Sequence, residues 1–133
     1  IVFFTTACPD CRRSLPEVQE VYDEYHEKGV SFVLISRSEG EASIRSYWSE
    51  HGFTMPYSAQ SDAKVYELFA KTRVPRIYIC RDGVVNSIFT DSPAFTAKDL
   101  SAGTGIPFVP YVKAKNAILI PLTSFIKISY TFE

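Results

Sequence analysis

Two cysteines separated by two residues, Cys8-Pro9-Asp10-Cys11, constrain this chain more than any other feature. They follow an apolar run, Ile1–Phe4, that reads as a short buried strand, and they precede a polar–apolar pattern that reads as a helix. At such a junction the unpaired N–H groups of the first helical turn point at the first sulfur, together with the positive end of the helix macrodipole. Both favour the thiolate, which is the nucleophilic form. Pro9 falls at the first helical position, where a missing N–H costs nothing. The pattern therefore supports thiol–disulfide exchange. Cys8 attacks from the exposed helix start, and Cys11, a turn deeper and less accessible, resolves the mixed disulfide. Asp10 lies between them with a charge that opposes thiolate formation and offsets part of the dipole. Arg12 and Arg13 act the other way and are expected to point into solvent. The balance suggests a reductant or mild exchanger.

The competing reading of the pair is half of a zinc site. Zinc needs four ligands, usually from a second spaced pair. Only Cys80, His26 and His51 remain, and none is spaced as a pair with another. Cys80 reads instead as a small buried hydrophobe in its strand, and the histidines as solvated helix ends.

Along the chain, Pro9 to about Lys28 is helical. Leu15, Val18, Val21, Tyr22 and Tyr25 form its apolar stripe, Pro16 lies inside it, and Gly29 ends it. Val30–Ser36 is apolar and β-branched and reads as a central strand covered on both faces. A second helix spans about Glu41–His51 on Ile44, Tyr47 and Trp48, closed by Gly52. Phe53–Gln60 reads as irregular. Asp62 is an expected N-cap for a short helix through about Ala70. Ile77–Cys80 and Val84–Phe89, joined through Asp82-Gly83, form a β-hairpin, and Thr96 caps a last helical pattern. The order β-α-β-α-(α)-β-β-α gives an α/β fold, a mixed central sheet with helices on both faces.

At 133 residues, 46% of them apolar, the chain suits one compact domain. That domain is expected over residues 1–102, with 103–133 a C-terminal extension carrying short β-prone runs. A formal net charge of −1 gives no general reason to expect nucleic acid or an anionic membrane as partner. No apolar run approaches the ~20 residues of a membrane span. Ile1 opens directly into a strand and the one methionine is Met55, so the sequence is expected to be a processed form or a fragment, with any signal or anchor outside it.

With a C-x-x-C, Pro16 five residues after the second cysteine, and Val74-Pro75 before a hairpin, the chain resembles a thioredoxin fold. More narrowly it is similar to the AhpC/TSA-related thiol–disulfide oxidoreductases of the TlpA and ResA type from the bacterial cell envelope. The residues that carry this are Phe3 to Thr6, the Cys8–Arg12 motif, Leu15-Pro16-Glu17, Gly29-Val30, Val74-Pro75 and Arg81-Asp82-Gly83. Two departures stand out: Ala7 replaces the family's usual tryptophan, and Ser14 its frequent glutamate. Loss of the tryptophan opens the rim of the site and bears on substrate preference.

The resemblance implies that Pro75 is cis and lies against the cysteines. There a substrate peptide would pair briefly as a strand, with Val74, Ala7 and Pro9 as its contacts. It implies an acid in the loop after the second strand that tunes the cysteines, best matched by Glu39. It implies protein disulfide or thiol substrates, apocytochrome thiols among them, an upstream electron donor, and a periplasmic or envelope location. A monomer needing no metal or organic cofactor is expected. Two alternatives compete. A peroxiredoxin-like peroxidase would use Thr5-Thr6-Ala7-Cys8 as its T-x-x-C but lacks that family's preceding proline. A redox-inert binding module is disfavoured by the intact cysteine pair.

Overall fold

The computed structural model describes residues 1–105. Five strands form one mixed sheet in the order β3-β2-β1-β4-β5. They are β1 (Val2–Phe4), β2 (Leu34–Ser36), β3 (Tyr57–Ser58), β4 (Arg76–Arg81) and β5 (Val84–Thr90). The first three are parallel, so their carboxyl ends share one edge, while β4 runs antiparallel to β1 and pairs with β5 as a hairpin. The helices are α1 (Pro9–Tyr25), α2 (Glu41–His51), α3 (Lys64–Glu67) and α4 (Ala97–Gly103). The expected extension lies outside the described residues except for its start: α4 crosses the anticipated boundary at residue 102.

Burial on both faces of β1 explains its uninterrupted apolar run. Successive side chains alternate across a strand. Phe4 meets Trp48 of α2, ring centroids 5.1 Å apart, while Phe3 meets Tyr66 of α3 at 5.5 Å. Helix α1 buries Leu15, Val18 and Val21. It is fastened to α4 where Glu17 Oε2 accepts the Ala97 N–H at 2.6 Å, and to the segment after α2 by two hydrogen bonds between Gln19 and Thr54.

Several boundaries differ from the sequence reading, each for a local reason. Of Val30–Ser36 only Leu34–Ser36 is strand, because β1 offers just Val2–Phe4 as ladder partners. Tyr57–Ser58, expected to be irregular, pairs in parallel with β2. Two residues carry no periodicity, so the sequence held no signal for it. Helix α1 tightens into a 3-10 turn at His26–Lys28, and Gly29 stops it at φ 85°. Ala63 rather than Asp62 occupies the N-cap of α3, although Asp62 Oδ1 still accepts the Lys64 N–H at 3.0 Å. The hairpin turns on Asp82 (φ 53°) and Gly83 (φ 78°), the paired positive φ of a two-residue turn whose twist matches its strands. Thr96 and Asp99 cap α4 reciprocally.

Cys80 corrects an expectation: it is exposed. Strand β1 pairs with β4 at Arg76 and Ile77 and stops short of Cys80, which feels the Ile1 ammonium instead, and β5 bulges opposite it.

Candidate functional site

The site forms at the carboxyl ends of the parallel strands, where β1 runs into α1. Cys8 is the N-cap residue of α1, with extended backbone (φ −83°, ψ 126°) and its carbonyl accepting the Arg12 N–H at 3.0 Å. That conformation leaves its side chain outside the helix but beside the first-turn N–H groups. Cys8 is half-buried; Cys11, one turn on, is fully buried. Neither is bridged, and Cys8 acts on the electrostatics of Cys11. Burial, more than any other cause, pushes the Cys11 thiol up to about 12, with the charges of Cys8 and Asp10 adding to it. Among the described residues the opposing contact is the Thr5 N–H, which donates to Cys11 Sγ at 3.5 Å.

Across the sheet, Val74-Pro75 is a cis peptide and both residues are buried. The Cys8 thiol donates to the Val74 carbonyl at 3.7 Å. The preceding residue, Arg73, holds φ 74°, a conformation costly for a side chain with a Cβ. Two contacts keep it there: the buried Tyr66 donates its hydroxyl to the Arg73 carbonyl at 2.8 Å, and Asp91 pairs with the guanidinium at 3.4 Å. The other cis peptide, Ser92-Pro93, follows Asp91 directly.

Glu39 reaches the cysteine loop from the β2–α2 connection. Its Oε2 accepts the Thr6 N–H at 2.7 Å and the Thr5 hydroxyl at 3.2 Å. Its Oε1 accepts the Thr6 hydroxyl, and the Ser43 hydroxyl at 2.9 Å. These donors outweigh its partial burial and hold the carboxyl below the usual range, hence ionised. Its backbone is fixed in turn by buried Ser36, whose hydroxyl donates to the Glu39 carbonyl and accepts the Gln60 N–H, both at 2.8 Å. Glu39 thus touches the cysteines through Thr5, not directly.

Of the residues singled out from sequence, Cys8, Cys11, Val74 and Pro75 come together. Ala7 and Pro9 are exposed on either side of Cys8. Asp10 turns to Arg13, 2.8 Å away. Arg12 is exposed but not free in solvent as expected. Its Nε donates to the Thr6 carbonyl at 2.6 Å and its guanidinium lies 5.9 Å from the Tyr47 ring centroid. Ser14 is buried and donates to the Asp10 carbonyl at 2.8 Å, so α1 presents no carboxylate at that position. Sequence reasoning missed Tyr66, which falls in the short helix expected after Asp62, and the acceptor that Thr5 and Thr6 share. Two hydroxyls before the motif were the visible signal, but nothing named Glu39 as their partner.

Residues 1–102 match the family model described as Redoxin. Curated relatives include thiol-disulfide oxidoreductase ResA of Halalkalibacterium halodurans, 26% identical over 66% of this chain and 51% of that protein. ResA of Oceanobacillus iheyensis is 29% identical over 59% of this chain and 41% of its own length. The chain thus spans about half the length of the curated relatives it matches. Among solved structures, StoA from Bacillus subtilis superposes with a TM-score of 0.65 at 20% identity, covering 77% of this chain and 78% of that one. That likeness is one of fold, a thioredoxin-like sheet.

Proposed function

Because the chain belongs to the redoxin family, we propose that it is a thiol–disulfide oxidoreductase exchanging disulfides with protein substrates through the Cys8–Cys11 dithiol, as a reductase of the bacterial cell envelope. One observation carries the reading: an accessible thiol at a helix N-terminus lies 3.7 Å from the Val74 carbonyl beside Pro75, with a second thiol buried one turn deeper. The Cys8 thiolate attacks one sulfur of a substrate disulfide. A Cys8–substrate S–S bond forms as the substrate's own breaks, and the departing thiolate takes a proton. Cys11 then loses its proton and attacks the Cys8 sulfur, releasing the second substrate thiolate. The substrate gains two electrons and the dithiol becomes a disulfide, which an upstream donor must reduce.

Each remaining residue has a part in this. Val74 and Pro75 offer a backbone edge on which the substrate pairs while bonded to Cys8. Ala7 and Pro9 form the low rim over which it enters. Asp10 and Glu39 tune the pair: Asp10 adds to the forces keeping Cys11 protonated, and Glu39 acts through Thr5. The exchange is proposed for a monomer. The envelope location rests on the TlpA/ResA-type resemblance. A peroxidase would aim the Thr5 hydroxyl at the Cys8 sulfur, whereas here that hydroxyl donates to Glu39.

Insulin reduction tests the proposal. The reduced protein should cleave insulin disulfides, and Cys8→Ser should abolish this; equal rates would refute it. A Cys8–Cys11 potential near thioredoxin's roughly −270 mV supports a reductase, and one near the roughly −120 mV of DsbA an oxidant.

A further inference from the structure

The rim around Cys8 carries two guanidiniums that rest on aromatic rings and stand in no ion pair among the described residues. Arg12 bonds the Thr6 carbonyl through Nε, and its guanidinium lies over Tyr47. Arg37 follows β2, its N–H bound to the Phe4 carbonyl at 2.8 Å and its guanidinium 4.8 Å from the ring centroid of Tyr66. Tyr66 is the residue that holds Arg73 next to Val74. The two guanidiniums are therefore each about one contact from a segment that flanks the Cys8 sulfur.

Three acids of this edge have partners of their own. Asp10 pairs with Arg13, Asp91 with Arg73, and Glu39 accepts from Thr5, Thr6 and Ser43. Among the described residues, neither Arg12 nor Arg37 has a carboxylate within ion-pair distance. Exposed Lys71 adds another cation to the loop before Val74. Two exposed acids near the rim stand in no ion pair among the described residues, Glu50, whose charge acts on Tyr47, and Glu67, next to Tyr66 in the chain. A guanidinium resting on an aromatic face is held in place while its N–H fork stays open to a carboxylate.

We propose that this rim selects acidic protein substrates, those with carboxylate side chains flanking the cysteine to be exchanged. The selection rests on the exchange reaction proposed above and acts before it, by steering the encounter and fixing register at the Val74 edge.

The test uses the full chain, reduced, with two disulfide-linked peptides identical except for glutamates or lysines beside the cysteines. At low ionic strength the acidic peptide should be reduced about tenfold faster. At about 0.5 M salt, where screening is severe, that ratio should fall several-fold. Arg37→Glu should bring the ratio to one or below. Taking the ratio within each variant cancels any general loss of activity, and Arg37→Gln, expected between the two, guards against misfolding of the charge reversal. Cleavage of both peptides at equal rates, or an unchanged ratio in both variants, overturns the proposal. Cleavage of neither overturns the exchange reaction itself.

Discussion

Replacing Glu39 by glutamine keeps the size of the side chain and removes its charge. Four donors converge on the carboxylate: the Thr6 N–H, both threonine hydroxyls and Ser43. The amide oxygen can keep the Thr6 N–H, but the NH2 group then faces hydroxyls that must turn round to accept. Charge-assisted hydrogen bonds are worth about 1.5–3 kcal/mol each against about 1 for neutral ones. Losing about 0.5–1 kcal/mol from each of four, reduced because the group is only partly buried, leaves about 2 kcal/mol. With a urea m-value near 2 kcal/mol/M, that moves the unfolding midpoint down by about 1 M. The pH dependence supplies the sign. Glu39 is lowered in the folded state, so its contribution is present above the unfolded carboxyl value near 4.3 and disappears as pH falls through the folded one. The gap between wild type and Glu39→Gln should stay constant from pH 7 to about 5 and close in more acidic buffer. A gap under about 0.5 kcal/mol at pH 7, or one that persists at pH 2, would refute the reasoning.

Tyr66→Phe removes the hydroxyl that holds the Arg73 carbonyl. It should cost about 1 kcal/mol by denaturation and slow reduction of a disulfide peptide more than that of hydroxyethyl disulfide, since only the peptide uses the Val74 edge; equal slowing would count against that edge. Phe4→Ala empties a fully buried site against Trp48 and should cost about 3–5 kcal/mol by the same measurement. In Cys8→Ser, alkylation of Cys11 by iodoacetamide, followed by peptide mapping to separate it from exposed Cys80, should keep rising with pH and show no plateau below about pH 10. Burial, the main cause of its raised pKa of about 12, remains in that variant.

What could be read from sequence divides by the range of the interaction that decides it. The helix start at Pro9, the glycine stops at Gly29 and Gly52, the Asp82-Gly83 turn and the Thr96 cap are all decided within a few residues, and the structure has them there. Strand lengths are not local. Val30–Val33 has the composition of strand, but β1 meets it only through the Val2 N–H on the Val33 carbonyl, and Tyr57–Ser58 is strand because β2 lies alongside. Cys80 failed for the same reason: its apolar neighbours suggested burial, and the limit of pairing between β4 and β1 exposed it. In the site, the cysteine pair is a local motif and was legible. The polar contacts around it join residues 33 or 34 positions apart, as between Thr5, Thr6 and Glu39, and no spacing rule connects those.

Those long-range contacts matter to the exchange through Thr5. Among the described residues its N–H is the one contact that favours a Cys11 thiolate, and its hydroxyl is bound to Glu39. Once Cys8 is bonded to substrate, the Cys8 charge no longer opposes ionisation of Cys11, but the larger penalty, burial, remains. What offsets part of that penalty is the N–H of a residue whose hydroxyl is bound to a carboxylate from a different loop. With Ser14 rather than a carboxylate at its position on α1, the resolving step of the proposed exchange would rely on Thr5, whose hydroxyl Glu39 holds.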